Sequence, residues 1–334
     1  MSRPRVNPRP LTEGALFAGL AVVLALIGFF VPVIGIFVSF LWPVPIALMV
    51  VRHGVRTAIL TVVVAGIVLS MVIGILEGAV MSLTLGVVGL AIGYAILRGW
   101  NAISTILAAS LAVMVGLAVT LAVSVAFLKL DALTLLAPDM SEAAKQVSDL
   151  YQKFGIPKET TAQVMKMVLP PRDLLLATLP AGILMAVLIN ALINFEVSRR
   201  IMPRFGYKVP GLPAFRDWRF PRYFALVFIV AQVIGALKGA PPVEVWGRAF
   251  NIGHSSELLA KAMFNISMPL SIWMMLQGLS IGYFFLSRFK LSRVWTNLLV
   301  MFVMFNPGLW QIALIFGLMD NVFDYRRLVT ARQS

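Results

Sequence analysis

The chain has 334 residues, 60% of them hydrophobic and only 13% charged, where a soluble domain carries about a quarter charged residues. A mean hydropathy of +0.92 excludes an ordinary soluble globule, whose surface helices need a polar face. The absence of cysteine excludes disulfides, thiolate catalysis and sulfur-held metals, and the net charge of +14 lies in clusters between apolar runs, as in cytoplasmic loops of membrane proteins rather than nucleic-acid binders.

A helical crossing of the hydrocarbon core needs about 20 mostly apolar residues. Arg3, Arg5 and Arg9 precede the first such run, and no small-residue cleavage site follows, so the run is predicted to stay as a membrane helix. That first span is predicted over 11–30, stopped by Pro32. A second covers 33–51, with Pro43 and Pro45 expected to kink it, before a basic turn of Arg52, His53 and Arg56. The third, fourth and fifth are predicted over 57–76, 79–97 and 102–127. The polar stretch that follows contains a capping-box start, Asp139 with Glu142. Ala143, Val147, Leu150, Tyr151 and Phe154 then recur at helical spacing. With a second short helix over 160–169, they predict an extracytoplasmic amphipathic hairpin within 130–172.

A sixth span covers 174–195, and the most basic loop follows: Arg199, Arg200, Arg204, Lys208, Arg216, Arg219 and Arg222, offset by Asp217. Spans over 223–237 and 258–285 come next, then an apolar region over 294–319 broken by Asn306-Pro307-Gly308. The expected fold is an all-α polytopic transmembrane helical bundle of about eight to ten segments. It divides into a tail (1–10), a six-span half (11–200), a basic cytoplasmic loop (201–222) and additional C-terminal helices (223–334). Loop charges place the N-terminus on the cytoplasmic side of a bacterial inner membrane. The side of the tail with Arg326, Arg327 and Arg332 depends on whether the break at 306–308 makes a hairpin.

No phosphate loop, H-E-x-x-H or G-x-S-x-G motif occurs, and His53 and His254 stand apart. The expectation is therefore no enzyme, no cofactor, no metal and no ATPase of its own. Polar groups inside a bilayer are costly and mark candidate sites. Glu77, Asn190, Asn194, Glu257, Asn265 and Gln277 are accordingly the candidate substrate-binding residues. Asn190 and Asn194 share a helix face, and Glu257 and Lys261 are spaced to pair. The alternative is that the carboxylates sit at the water interface and the amides join helices. Ala15, Ala18 and Gly19 form a small-residue face, either for a partner membrane subunit or for packing within the bundle, and Gly86, Gly89 and Gly93 form a longer stripe for close helix packing. Arg216, Trp218 and Arg219 are interface anchors, with anionic lipid headgroups as an alternative role. Asp320 and Asp324 share a helix face, but Arg326 and Arg327 at once follow, which favours an ion-pair cluster over a metal.

The N-terminal run Leu11-Thr12-Glu13-Gly14-Ala15-Leu16-Phe17-Ala18-Gly19-Leu20-Ala21 resembles the first helix of S components of energy-coupling-factor transporters. Pro45-Ile46-Ala47-Leu48, with Arg52-His53-Gly54-Val55-Arg56, resembles the end and turn of their second. The ending Phe316-Gly317-Leu318-Met319-Asp320-Asn321-Val322-Phe323-Asp324-Tyr325-Arg326 is similar to that of the YybS-like family of bacterial membrane proteins. Arg216 to Pro221 and Leu276-Gln277-Gly278-Leu279 fit the same family. The resemblance implies a substrate-binding, transporter-related protein with Ala15 and Gly19 facing a separate membrane coupling subunit. The long 130–172 loop and the added C-terminal spans depart from the S-component pattern. A non-transporting scaffold or regulator, engaging partners through its basic loops, is the alternative. The expected partners are the bilayer and that subunit, not nucleic acid.

Overall fold

The computed structural model describes residues 9–31, 34–129, 131–136, 145, 148, 172–236, 243–245, 248–250, 257–287 and 292–327. The expected hairpin of the 130–172 stretch lies almost wholly outside the described residues. The elements are α1 (Arg9–Phe30), α2 (Ile34–Ser39), α3 (Pro43–His53), α4 (Val55–Ile73), α5 (Ile75–Leu97), α6 (Ala102–Leu128) and α7 (Ala132–Leu136). They continue with α8 (Arg172–Ile201), α9 (Arg222–Ala236), the strands β1 (Val243–Val245) and β2 (Arg248–Phe250), α10 (Glu257–Leu286), α11 (Arg293–Phe305) and α12 (Pro307–Phe323). Apart from the small antiparallel ribbon of β1 with β2, the described residues form an all-α fold.

Among the described residues, six helices are long and apolar enough to cross a membrane: Pro10–Phe30, Val55–Ile73, Ile75–Leu97, Ala102–Phe127, Leu175–Phe205 and Leu258–Leu286. The bent pair α11 and α12 adds a seventh candidate if it counts as one span. The expected total is reached only when the shorter apolar helices Phe37–His53 and Arg222–Ala236 are counted as well.

Two boundaries differ from the sequence reading. Pro43 and Pro45 do not kink a long second span. The chain breaks at 40–42, and Pro43 opens α3, where its missing N–H costs no hydrogen bond. The turn expected around Glu77 is made instead by Gly74 alone, whose φ of 107° suits glycine, so Glu77 belongs to the first turn of α5. At the last break, the Asn306 side chain accepts from the Gly308 and Leu309 amides at 3.1 and 3.3 Å. Pro307 follows at the first helical position, making an ordinary helix start.

By packing, the chain forms two units: Met1–Asp139 with Met185–Leu212, and Met140–Leu184 with Pro213–Ser334. One boundary between the units thus falls within α8, after Leu184, and another after Leu212. In the first unit, α4 and α5 run antiparallel and touch through small residues. A Cβ on Gly66 would press on Ser82, one on Gly78 on the Ser70 backbone, and one on Gly86 on Val62. The hydroxyl of Ser82 donates to the Val62 carbonyl at 2.8 Å. Gly89 and Gly93 bring α5 against α3, where a Cβ would strike Pro43 O and Ala47 O. The stripe is thus used inside the unit. It closes a core that includes Phe17, Trp42, Ile46, Met49, Leu69 and Ile92.

In the second unit, α10 and α12 cross where two glycines meet. A Cβ on Gly278 would collide with the Ala313 carbonyl, and one on Gly317 with the Met274 carbonyl. Phe220, Phe224 and Trp273 stack beside this crossing, with ring centroids 4.7 to 6.4 Å apart.

Candidate functional site

In the first unit the candidate residues have separate occupations. Glu77 is exposed. Asn194 is buried and donates its side-chain amide to the Asn190 carbonyl oxygens of side chain and backbone at 2.8 and 2.9 Å. Its own Oδ1 has no partner among the described residues. Glu196 below them binds Arg199 at 2.6 Å and Arg200 at 2.9 Å, one helical turn away. On α1, Ala15 and Gly19 lie exposed, and a Cβ on Gly19 would touch nothing within 4 Å. Ala18 does not share that face. It is buried in the unit's core, about 100° around the helix from Gly19. Glu13, quoted only as part of a motif, accepts from Arg52 at 2.7 Å and sits 2.9 Å from His53 Nε2. It thereby ties α1 to the last turn of α3.

In the second unit Asn265 has a defined task. Pro180 interrupts α8, and a proline within a helix opens its backbone ladder. The Asn265 amide enters that opening from α10. Its Oδ1 accepts from the Ala181 N–H at 3.0 Å, and its Nδ2 donates to the Ala177 carbonyl at 2.6 Å. Ala177 and Ala181 are the i,i+4 pair that would bond each other in an unbroken helix. The side-chain amide thus offers an acceptor and a donor to the backbone on either side of Pro180.

Beside this bridge lie two clefts that share Ala177 and Lys261. One, of about 610 Å³, is walled by Ala231, Gln232 and Gly235 of α9 and by Lys261, Phe264 and Ser267 of α10. The other, of about 740 Å³, is walled by Leu176 and Pro180 of α8 and by Leu258, Lys261 and Asn265 of α10. Both fall in the size range of small-molecule sites, about 300–1,000 Å³. Their lining is largely apolar, with a few polar groups facing in. Glu257 opens α10, but its side chain, and so its expected pairing with Lys261, lies outside the described residues.

Gln277 belongs to a different constellation. It donates to Asp320 Oδ2 at 3.1 Å and accepts from the Phe220 N–H and from Asn321, each at 3.1 Å. Asn321 also donates to the Phe220 carbonyl at 2.9 Å. Arg326, 2% exposed, lies 3.3 Å from the same Asp320 oxygen. It also donates to Ser280 at 3.1 Å and to the Arg216 carbonyl. Burial pulls the Arg326 guanidinium below its ordinary value, while the Asp320 carboxylate pushes it back up. It stays charged throughout any accessible pH. Ser280 in turn donates to the Phe215 carbonyl at 2.6 Å, and Arg219 reaches Asp324 at 3.2 Å. The three stretches Arg216–Pro221, Leu276–Leu279 and Phe316–Arg326 therefore form one knot, around a pocket of about 50 Å³. Of the expected ion-pair cluster at 320–326, the Asp320–Arg326 pair is present and buried, while Asp324 pairs with the half-exposed Arg219.

The six candidate substrate residues thus fall in different places. Glu77, Asn190 and Asn194 belong to the first unit, and Glu257, Asn265 and Gln277 to the second. The clefts and the knot take in Asn265 and Gln277 only, one each. Lys261 was read only as a partner for Glu257, and Pro180 and Ser280 were not singled out. The one available signal was a proline in the middle of a long apolar run.

Comparison with known proteins agrees with the C-terminal ending. The chain is similar to the uncharacterized protein YybS of Bacillus subtilis (strain 168), with 21% identity over 321 residues, covering 96% of this chain and 98% of that protein. No solved structure matches it. The family model described as "Predicted membrane protein (DUF2232)" matches residues 19–321. Nearly the whole set of described helices falls within that match, and the chain belongs to the DUF2232 family of membrane proteins.

Proposed function

We propose that this membrane protein binds a small molecule and is related to transporters, with no ATPase and no catalytic chemistry of its own. The observation that carries the reading is the pair of clefts around Lys261, set between the membrane-length α8 and α10 and the shorter apolar α9. An ammonium group in a membrane helix is stable where it faces a cavity, water or a ligand. Gln232, Ser267 and Asn265 add neutral polar groups beside it. In this reading residues 11–200 are the S-component-like part, in the inner membrane with the N-terminus cytoplasmic. The exposed Ala15 and Gly19 support a docking face for a separate membrane coupling subunit. The basic turns at Arg52, Arg98 and 199–222 support the orientation.

The test is thermal unfolding of the purified protein in the presence of vitamins, nucleobases and amino acids. Stabilisation by one class, lost in Lys261→Met, supports the reading. No stabilisation by any of them sinks it. The scaffold alternative draws on exposed basic side chains such as Arg204 and Arg222. It predicts a partner whose recovery falls when Arg204 and Lys208 are neutralised, and equal recovery by both proteins counts against it.

A further inference from the structure

We infer that the second unit holds an anionic phospholipid in a groove between the Arg216 loop, α10 and α11, with the lipid phosphate on Arg216 and an acyl chain along α11. The groove has a volume of about 710 Å³ and is walled by Phe215, Arg216, Tyr283, Asn297, Val300 and Met301. Its body is apolar. Its polar groups are the Arg216 guanidinium, the Asn297 amide and the Tyr283 hydroxyl.

Three observations select this occupant. The first is depth. The loop backbone is fastened to the ends of the membrane helices: Ser280 and Arg326 hold the Phe215 and Arg216 carbonyls, and Asn321 holds that of Phe220. The groove therefore sits where apolar spans give way to water, which is the level of lipid phosphates. The second is charge. With its backbone held, the loop turns Arg216 and Arg219 outward, with side chains 55% and 53% exposed, and Arg222 follows, exposed as well. Asp324 occupies Arg219, but the nearest acid to Arg216 is the equally exposed Asp217 at 3.7 Å, at the limit of an ion pair. A phosphate competes well for such a guanidinium, since it offers a bidentate acceptor.

The third observation is α11 itself. Val294, Leu298 and Met301 are exposed by 67%, 49% and 53%, so this helix presents a hydrocarbon-loving surface. Asn297 lies exposed in its midst with no hydrogen bond to the described protein. An amide there needs a partner that a headgroup ester or phosphate supplies. A soluble anion would use Arg216 alone. An acyl chain uses Val300 and Met301 as well.

The full-length protein, delipidated in neutral detergent, is titrated with phosphatidylglycerol and bound lipid is counted by native mass spectrometry. Phosphatidylglycerol is expected to bind more tightly than phosphatidylcholine. Arg216→Gln is expected to weaken it about fivefold, the contribution of one cation at an anionic surface, while Arg216→Lys keeps most of the affinity. Met301→Trp, filling the groove from an exposed position, is expected to lower occupancy without touching any charge, and it tests the site even if the Arg216 variant fails to fold. Competition by glycerol phosphate as strong as by the lipid would point to a free-anion site and overturn the inference. So would equal binding of phosphatidylcholine, or wild-type binding by both Arg216→Gln and Met301→Trp.

Discussion

The two units are held together by different chemistry. The first closes almost entirely on apolar contact and small residues: glycines and serines let α4, α5 and α3 approach backbone to backbone, and its charged contacts stay at the edges. The second also uses a glycine crossing, but it surrounds that crossing with buried charge and amide, from Gln277 and Asp320 to Arg326. In lipid, apolar surface alone gives helices little reason to associate, so close packing and interhelical hydrogen bonds take that role. The first unit relies on packing, the second on packing plus a polar lock. Close backbone packing fails when a side chain is added at the contact, whereas a buried charge network fails when one member is removed.

The largest effect is expected from Gly317→Val, because the new Cβ meets the Met274 backbone rather than a side chain that can move aside. Loss of monodisperse protein on size exclusion is the expected outcome. A well-folded variant would show that the crossing is looser than described. Next is Asp320→Ala, which leaves the Arg326 charge buried, a change that costs about 3–5 kcal/mol. Replacing both, as Asp320→Leu with Arg326→Met, should return much of that stability in denaturant titration. If the double variant is as weak as the single one, the lock is more than a compensated charge. In the first unit Ala18→Leu overpacks a tight core and should cost about 1–3 kcal/mol, whereas Gly19→Leu should stay within about 0.5 kcal/mol. Equal melting temperatures for the two would refute the assignment of faces on α1. The smallest effect belongs to Glu13→Gln. Its pair with Arg52 is about one-third exposed, so solvent screening holds its worth below about 1 kcal/mol, and the difference should vanish at high salt.

Much of the fold is legible in hydropathy, since a membrane helix must supply its own backbone bonds over a fixed length. The boundaries were harder. Pro43 and Pro45 look alike as mid-helix kinks and as helix starts, and the choice depends on whether 34–39 continues into them, which tertiary packing decides. A turn of one glycine after Ile73 carries no polar cluster to announce it, while Glu77 supplied a false one. For the site, the small-residue faces of α1 are readable only modulo the helix angle, which is why Ala18 was grouped with its neighbours. The knot shows what a sequence can and cannot carry. Arg216–Pro221, Leu276–Leu279 and Phe316–Arg326 are each visible as segments. Their convergence joins residues more than a hundred positions apart, such as Arg326 and Arg216, and no local pattern encodes that. The amide bridge from Asn265 to the gap at Pro180 is hidden for the same reason.

Arg326 follows every described membrane helix in the chain, yet it is the charge that neutralises Asp320. Gln277 precedes its partner Asp320 by 43 residues, so the polar face of α10 is made well before the segment that satisfies it. The polar lock of that unit is consequently complete only once its C-terminal segment is in place. Chains cut short before Arg326 would carry an unmistakable mark of incompleteness, legible to any protease that surveys the bilayer for stranded charge.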